Sequence, residues 1–124
     1  MKWQAKDRKM LQQIIRYCEK IETTIQRFGA DFESFACDSD YVDSVSMNIL
    51  QIGELAGSLS ADYVESTKAS VDWRAIKGMR NIFAHDYGSM DMERTWYTAT
   101  SDVPELKAFC IRQLETIDKE ATHV

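Results

Sequence analysis

Residues 7–28 read DRKMLQQIIRYCEKIETTIQRF, a run without proline or glycine whose apolar residues keep one helical period. Leu11, Ile14, Cys18, Ile21, Ile25 and Phe28 recur at alternating steps of three and four, which winds into one apolar stripe on a helix. Gly29 is placed to stop that helix, and DFESFACDSD after it reads as a turn or short helix whose phenylalanines cover the end of a core. The same spacing returns at Val42, Val45, Ile49, Ile52, Ala56 and Leu59, behind N-cap residue types at Ser39 and Asp40, so a second long helix is expected. Within it Gly53 and Gly57 lie four apart on one face, each at a propensity cost of about 1 kcal/mol, and close approach of another helix is the reading that explains them.

Further along, SADYVESTKA predicts a short third helix. Asp72 is a cap for a fourth segment running to about Tyr87, where Gly88 suits a left-handed terminus. DMERTWYTAT predicts another short helical stretch. In DVPE, Asp102, an early proline and Glu105 have the pattern of a capping box that opens a last helix with Leu106, Phe109, Cys110, Leu114 and Ile117 as its stripe. No run alternates apolar and polar residues, so the fold class is all-α, a bundle of about four main helices.

Composition narrows the class. The chain of 124 residues fits one domain, 1–124, and with 44% hydrophobic and 28% charged residues, one proline and five glycines it has a folding composition. MKWQAKDRKM lacks a signal peptide's apolar run, and no run of about 18 apolar residues occurs, so a soluble cytoplasmic protein without membrane contact is expected. Cys18, Cys37 and Cys110 are odd in number and widely spaced, which suggests neither a disulfide framework nor a zinc site. A net charge of −5 argues against non-specific coating of nucleic acid, so any RNA contact must be local.

One place for such a contact is residues 72–87. On a helical wheel at roughly 100° per residue, Trp73, Ile76, Met79, Phe83 and Tyr87 share an apolar arc. Arg80 falls inside that arc, where an unpaired guanidinium needs a counterpart, such as Glu54 across the bundle. Arg74, Lys77, Asn81 and His85 fall on the adjacent arc as a local basic ridge, with Asn81 one turn from His85 and able to orient its ring. The bland readings are a histidine interacting with the helix dipole and a core tyrosine with a wet hydroxyl.

The string WRAIKGMRNIFAHDY, preceded by NILQIGELAGSLS and followed by Trp96 and DVPELKAF, resembles the HepT-like branch of the HEPN superfamily over nearly the whole chain. The shared pattern is Arg, Asn, three residues, His, any residue, Tyr, matched by Arg80, Asn81, His85 and Tyr87. A proline common shortly before the tryptophan is absent from KASVDW. The resemblance implies an α-helical bundle that dimerises through its motif helices, with a composite cleft made by Arg80 and His85 of both subunits. It implies a metal-independent ribonuclease acting as a toxin, with RNA as substrate and no cofactor. The implied partner is a minimal nucleotidyltransferase antitoxin that attaches AMP to Tyr87.

Arg80 and His85 are therefore the expected catalytic pair, Asn81, Arg74 and Lys77 the expected substrate contacts, and Tyr87 the expected modification site. A different class of function, a non-catalytic module that positions substrates for a nucleotidyltransferase, would use the same surface only for docking. The remaining alternative is a plain bundle with a solvated polar strip. Glu54, Trp73 and Trp96 read as architecture, and Cys37 and His123 receive no role.

Overall fold

The computed structural model describes residues 1–82 and 91–122. Its described residues contain helices and connecting turns and no strand, as the periodicity requires. The long helices are α1 (Ala5–Phe28), α3 (Ser39–Gly57) and α7 (Val103–Thr122), with short helices α2 (Phe32–Ala36), α4 (Ala61–Thr67), α5 (Trp73–Gly78) and α6 (Met92–Tyr97). A 3-10 turn, Met79–Asn81, follows α5, and a π turn, Thr98–Asp102, joins α6 to α7 without a break.

The apolar stripes meet as their spacing demands. Leu11, Ile14, Cys18 and Ile21 of α1, Val45, Ile49 and Ile52 of α3, and Val103, Cys110 and Ile117 of α7 are buried in a common core. Helix α1 packs on both α3 and α7. Side-chain hydrogen bonds close the open end of this trio. The Asp7 carboxylate, fully buried, accepts the Ser60 backbone N–H at 2.7 Å, the Ser60 hydroxyl at 2.7 Å and the Gln4 N–H at 2.8 Å. A buried anion is tolerated because each oxygen has a donor.

At the other end, Phe28, Phe35, Tyr41 and Trp96 form an aromatic cap. The Phe35 ring lies 5.2 Å from both Tyr41 and Trp96, and the Tyr41 hydroxyl donates to the Gly29 carbonyl at 2.9 Å. Gly29 has φ 114°, the left-handed region expected of a helix-terminating glycine. Trp96 and the phenylalanines of the α2 stretch are thus architectural, as expected.

The boundaries differ from the sequence reading in three places. The cap of α3 is Asp38, whose carboxylate accepts the N–H groups of Asp40 and Tyr41, not Ser39 or Asp40. Asp102 opens no helix: it ends the π turn, and α6 runs straight through it into α7. The cause is Pro104, which lacks an N–H and crowds the carbonyl four residues back, so a widened turn at Thr98–Asp102 accommodates it within a continuous helix. The third difference lies in the segment after Asp72 and bears on the candidate site.

Candidate active site

The segment begins as the sequence indicates. The Asp72 carboxylate accepts the Ala75 N–H at 3.0 Å and caps α5. Trp73 fixes the helix to the core: its indole N–H donates to Thr67 Oγ1 at 2.8 Å, and its ring lies 5.9 Å from Phe109 and 6.2 Å from Tyr63. Ile76 is buried beside it, so the Trp73–Ile76 edge faces inward and the opposite edge, with Arg74 and Lys77, is exposed.

The expected helix from Asp72 to Tyr87 is not continuous. It tightens at Met79 into a 3-10 turn, with the Ile82 N–H donating to the Met79 carbonyl at 3.1 Å. Each 3-10 residue advances about 120° instead of about 100°, which moves the following side chains off the wheel drawn for an α-helix. Arg80 is consequently exposed and not inside an apolar arc. The backbone takes the inward place. A Cβ on Gly53 would collide with the Arg80 nitrogen and stand 3.1 Å from Arg80 Cα and the Met79 carbonyl carbon. Gly53 thus seats the Met79–Arg80 peptide directly on α3.

Gly57, one turn later, meets side chains instead. A Cβ there would lie 3.6 Å from Lys77 Cγ and Cε and 3.8 Å from Arg80 Nη1. Arg80 does not pair with Glu54, and among the described residues none of Arg74, Lys77 and Arg80 makes an ion pair. Asn81 is exposed as well and borders a hollow of about 280 Å³ that includes Ile82, Arg94 and Thr98. Arg94 was not singled out by the sequence, because its place beside Asn81 depends on how α6 returns to α5.

The described part of the site is therefore cationic and unpaired: Arg74, Lys77, Arg80 and Asn81 sit together on α5 and its 3-10 extension. Those cations can hold an anion without first breaking a salt bridge to another described residue. His85 and Tyr87 lie outside the described residues, as does His123. A second hollow, about 480 Å³, lies between α5 and α7 and includes Asp72, Asp102, Glu105 and Arg112, while Asp91 and Asp102 also border the hollow beside Asn81. Among the described residues no three His, Cys, Asp or Glu side chains group as a metal site, and no helix is long and apolar enough to cross a membrane.

Comparison with known proteins bears on the same segment. Residues 14–112 match the family described as Ribonuclease HepT-like. The chain is 28% identical over 100 residues to "Putative RNase TTE0752" of Caldanaerobacter subterraneus subsp. tengcongensis, covering 81% of this chain and 87% of that protein. It is 30% identical over 77 residues to "Gamma-glutamylcyclotransferase and putative RNase MJ0434" of Methanocaldococcus jannaschii, covering 62% of this chain but 34% of that protein. It is also 28% identical over 86 residues to "Putative RNase MJ1380" of the same organism, covering 62% of this chain and 78% of that protein. No solved structure matches the chain significantly.

Proposed function

The chain belongs to the ribonuclease HepT-like family, and from that premise we propose that it is a metal-independent RNA endonuclease whose catalytic groups are Arg80 and His85. The observation that carries the reading is the exposed 3-10 turn at Met79–Asn81, which presents the motif's arginine and asparagine free of any carboxylate among the described residues. The relatives whose names read "Putative RNase" support RNA as the substrate class.

In the proposed reaction the His85 imidazole takes the proton of a ribose 2′-hydroxyl, and that oxygen attacks the adjacent phosphorus. The bond to the 5′-oxygen of the next nucleotide breaks, leaving a 2′,3′-cyclic phosphate and a 5′-hydroxyl. Arg80 holds the phosphate and stabilises the charge that builds on its oxygens, for which a permanently charged planar fork suits better than an ammonium. An imidazole with an unperturbed pKa of about 6.5 serves as base or as acid near neutrality, so two histidines in a dimer cleft divide those roles. Asn81 orients the ring or the substrate, and Arg74 and Lys77 contact the strand.

The biological reading is a toxin, restrained by a minimal nucleotidyltransferase antitoxin that places AMP on Tyr87. Added bulk and negative charge two residues from His85 would repel RNA.

The test is cleavage of a short RNA and its DNA counterpart in EDTA. RNA alone is cut, to cyclic-phosphate ends, and His85→Ala and Arg80→Ala each abolish cutting while retaining the helical circular dichroism of the parent. No cutting by protein prepared without the partner would turn the assignment to a substrate-positioning module. For the restraint, Tyr87→Phe escapes covalent neutralisation by the nucleotidyltransferase; a Phe variant still labelled with AMP would overturn the choice of residue.

A further inference from the structure

Helix α1 is basic in an acidic chain. Ala5–Phe28 holds six lysines and arginines and three acids, so α1 is net +3 in a protein whose formal charge is −5, and all other residues together carry −8. At roughly 100° per residue Lys6, Lys9, Arg16, Lys20 and Arg27 share an arc of roughly 80° opposite the apolar stripe, and all five are exposed. The acids of α1 are turned off that arc and engaged. Asp7 is buried against Ser60, and Glu19 and Glu22 flank Lys107 of α7, whose ammonium lies 3.7 and 3.1 Å from them. Arg8, also off the arc, takes Asp118, so the five cations of the outer face make no ion pair among the described residues.

Water requires a polar face there, but not one of a single sign. Helix stability favours mixed signs: Lys6 and Lys9, and Arg16 and Lys20, are like-charged neighbours at three and four residues, and Lys6 stands in the first turn, where the helix dipole disfavours a cation. The face offers more than charge. Beside Arg16 and Lys20, a shallow hollow of about 500 Å³ between α1 and α3 takes in Thr23, Thr24, Ser44 and Asn48, with Glu19 on the side of Lys107. Lys20 and Arg27 lie over the Tyr17 and Phe28 rings at 4.9 and 5.6 Å, and a cationic groove with aromatic rings beside it suits a nucleic-acid strand of any sequence.

We infer that the outer face of α1 is a second RNA-binding track, which takes the phosphate backbone of the substrate at a distance from the bond that is cut. The inference rests on the ribonuclease reading for its ligand class. From Lys6 to Arg27 the track runs about 30 Å, at about 1.5 Å per residue. Ser44 and Asn48, which border it, lie roughly 140–180° around α3 from Gly53 and Gly57, which face the Arg80 turn. Track and candidate site therefore open on different sides of α3, and the RNA that reaches both is long or folded.

Two triple variants separate the track from bulk charge. Lys9→Gln with Arg16→Gln and Lys20→Gln neutralises the track, and Lys68→Gln with Arg112→Gln and Lys119→Gln removes the same charge from other exposed positions. Both are made in a His85→Ala background, where nothing is cut, and binding of a fluorescein-labelled folded RNA of about 80 nucleotides is followed by anisotropy across a salt series. The α1 triple binds at least about tenfold more weakly and lowers the log–log salt slope by about 2, while the control triple changes affinity less than about twofold. Equal weakening by the two triples, or an unchanged slope for the α1 triple, would overturn the track. Should the α1 triple lose the parent's thermal transition, its three single substitutions decide, each lowering the slope by about 0.7. With His85 intact, the α1 triple raises KM for the folded RNA and leaves cleavage of an RNA of about four nucleotides unchanged; an equal loss on both substrates counts against the track. If the charge-dependent binding holds while protein with His85 intact cuts no RNA, the nuclease assignment falls and the track stands.

Discussion

Gly53 and Gly57 look equivalent in the sequence and do different work in the fold. A methyl group at 53 meets backbone that has no rotamer to change, so Gly53→Ala forces α3 and the 3-10 turn apart, at about 1–3 kcal/mol. Its denaturation midpoint should drop accordingly, while Gly57→Ala should match or exceed the parent. The helical spacing reveals that both glycines share a face and invite close approach. It does not reveal that one accommodates a peptide and the other two side chains, because that depends on where the partner segment tightens. Thiol environment divides in the same way: Cys37 is exposed, whereas burial pushes Cys18 up to about 12 and Cys110 further. Iodoacetamide at neutral pH should label Cys37 in the folded protein and reach the other two only on unfolding, as peptide mass mapping would show.

Helices with a full stripe were legible, and α1 and α3 emerge within a few residues of their expected ends. The element that carries the candidate site was legible only at its start. Asp72 and Trp73 behave as read, but the change to 3-10 geometry at Met79 is imposed by packing on Gly53, and no local pattern announces it. That is why the wheel puts Arg80 in the apolar arc while the structure exposes it, and why the alternative pairing of Arg80 with Glu54 does not form. Likewise the DVPE signature is a sound helix-start pattern that a π turn overrides, since α6 runs on through that turn into α7. Trp73 is the pin of the site element. Trp73→Phe keeps most of the ring contacts and removes the hydrogen bond to Thr67, so a loss of about 1 kcal/mol in chemical denaturation is expected. Cleavage should decline further than that loss explains if α5 sets the position of Arg80.

Across the whole molecule, the acidic total leaves room for a local cationic strip because Arg74, Lys77 and Arg80, three of the 15 lysines and arginines, make no ion pair among the described residues. The core makes a pH prediction. Burial, reinforced by the charge of Glu22, raises the Cys18 thiol from 9.0 to about 12, and burial also raises Cys110 and Tyr63. The folded state thus prefers the neutral thiol more strongly than the unfolded chain does. Stability from this source is complete below about pH 9 and is lost between 9 and 12 as the unfolded chain ionises first. Thermal midpoints should fall over that window, and less steeply in Cys18→Val. The proposed shared cleft has its own signature: mixing Arg80→Ala with His85→Ala subunits after exchange should recover part of the cutting that neither has alone.

The widened turn at Thr98–Asp102 also keys one end of the bundle to the other. It lets a single rod aim Trp96 at the aromatic cap and Phe109 at Trp73, two targets that an unbroken α-helix would serve out of phase. The turn holds one residue more than regular α winding needs over the same angle, so deleting Thr100 would leave both faces aimed as they are, whereas inserting one alanine after Thr100 would rotate one of them by roughly 100°. A one-codon insertion there should therefore cost the protein its cooperative melting, whereas the same insertion near Lys119, in the last turn of α7, should be absorbed by fraying.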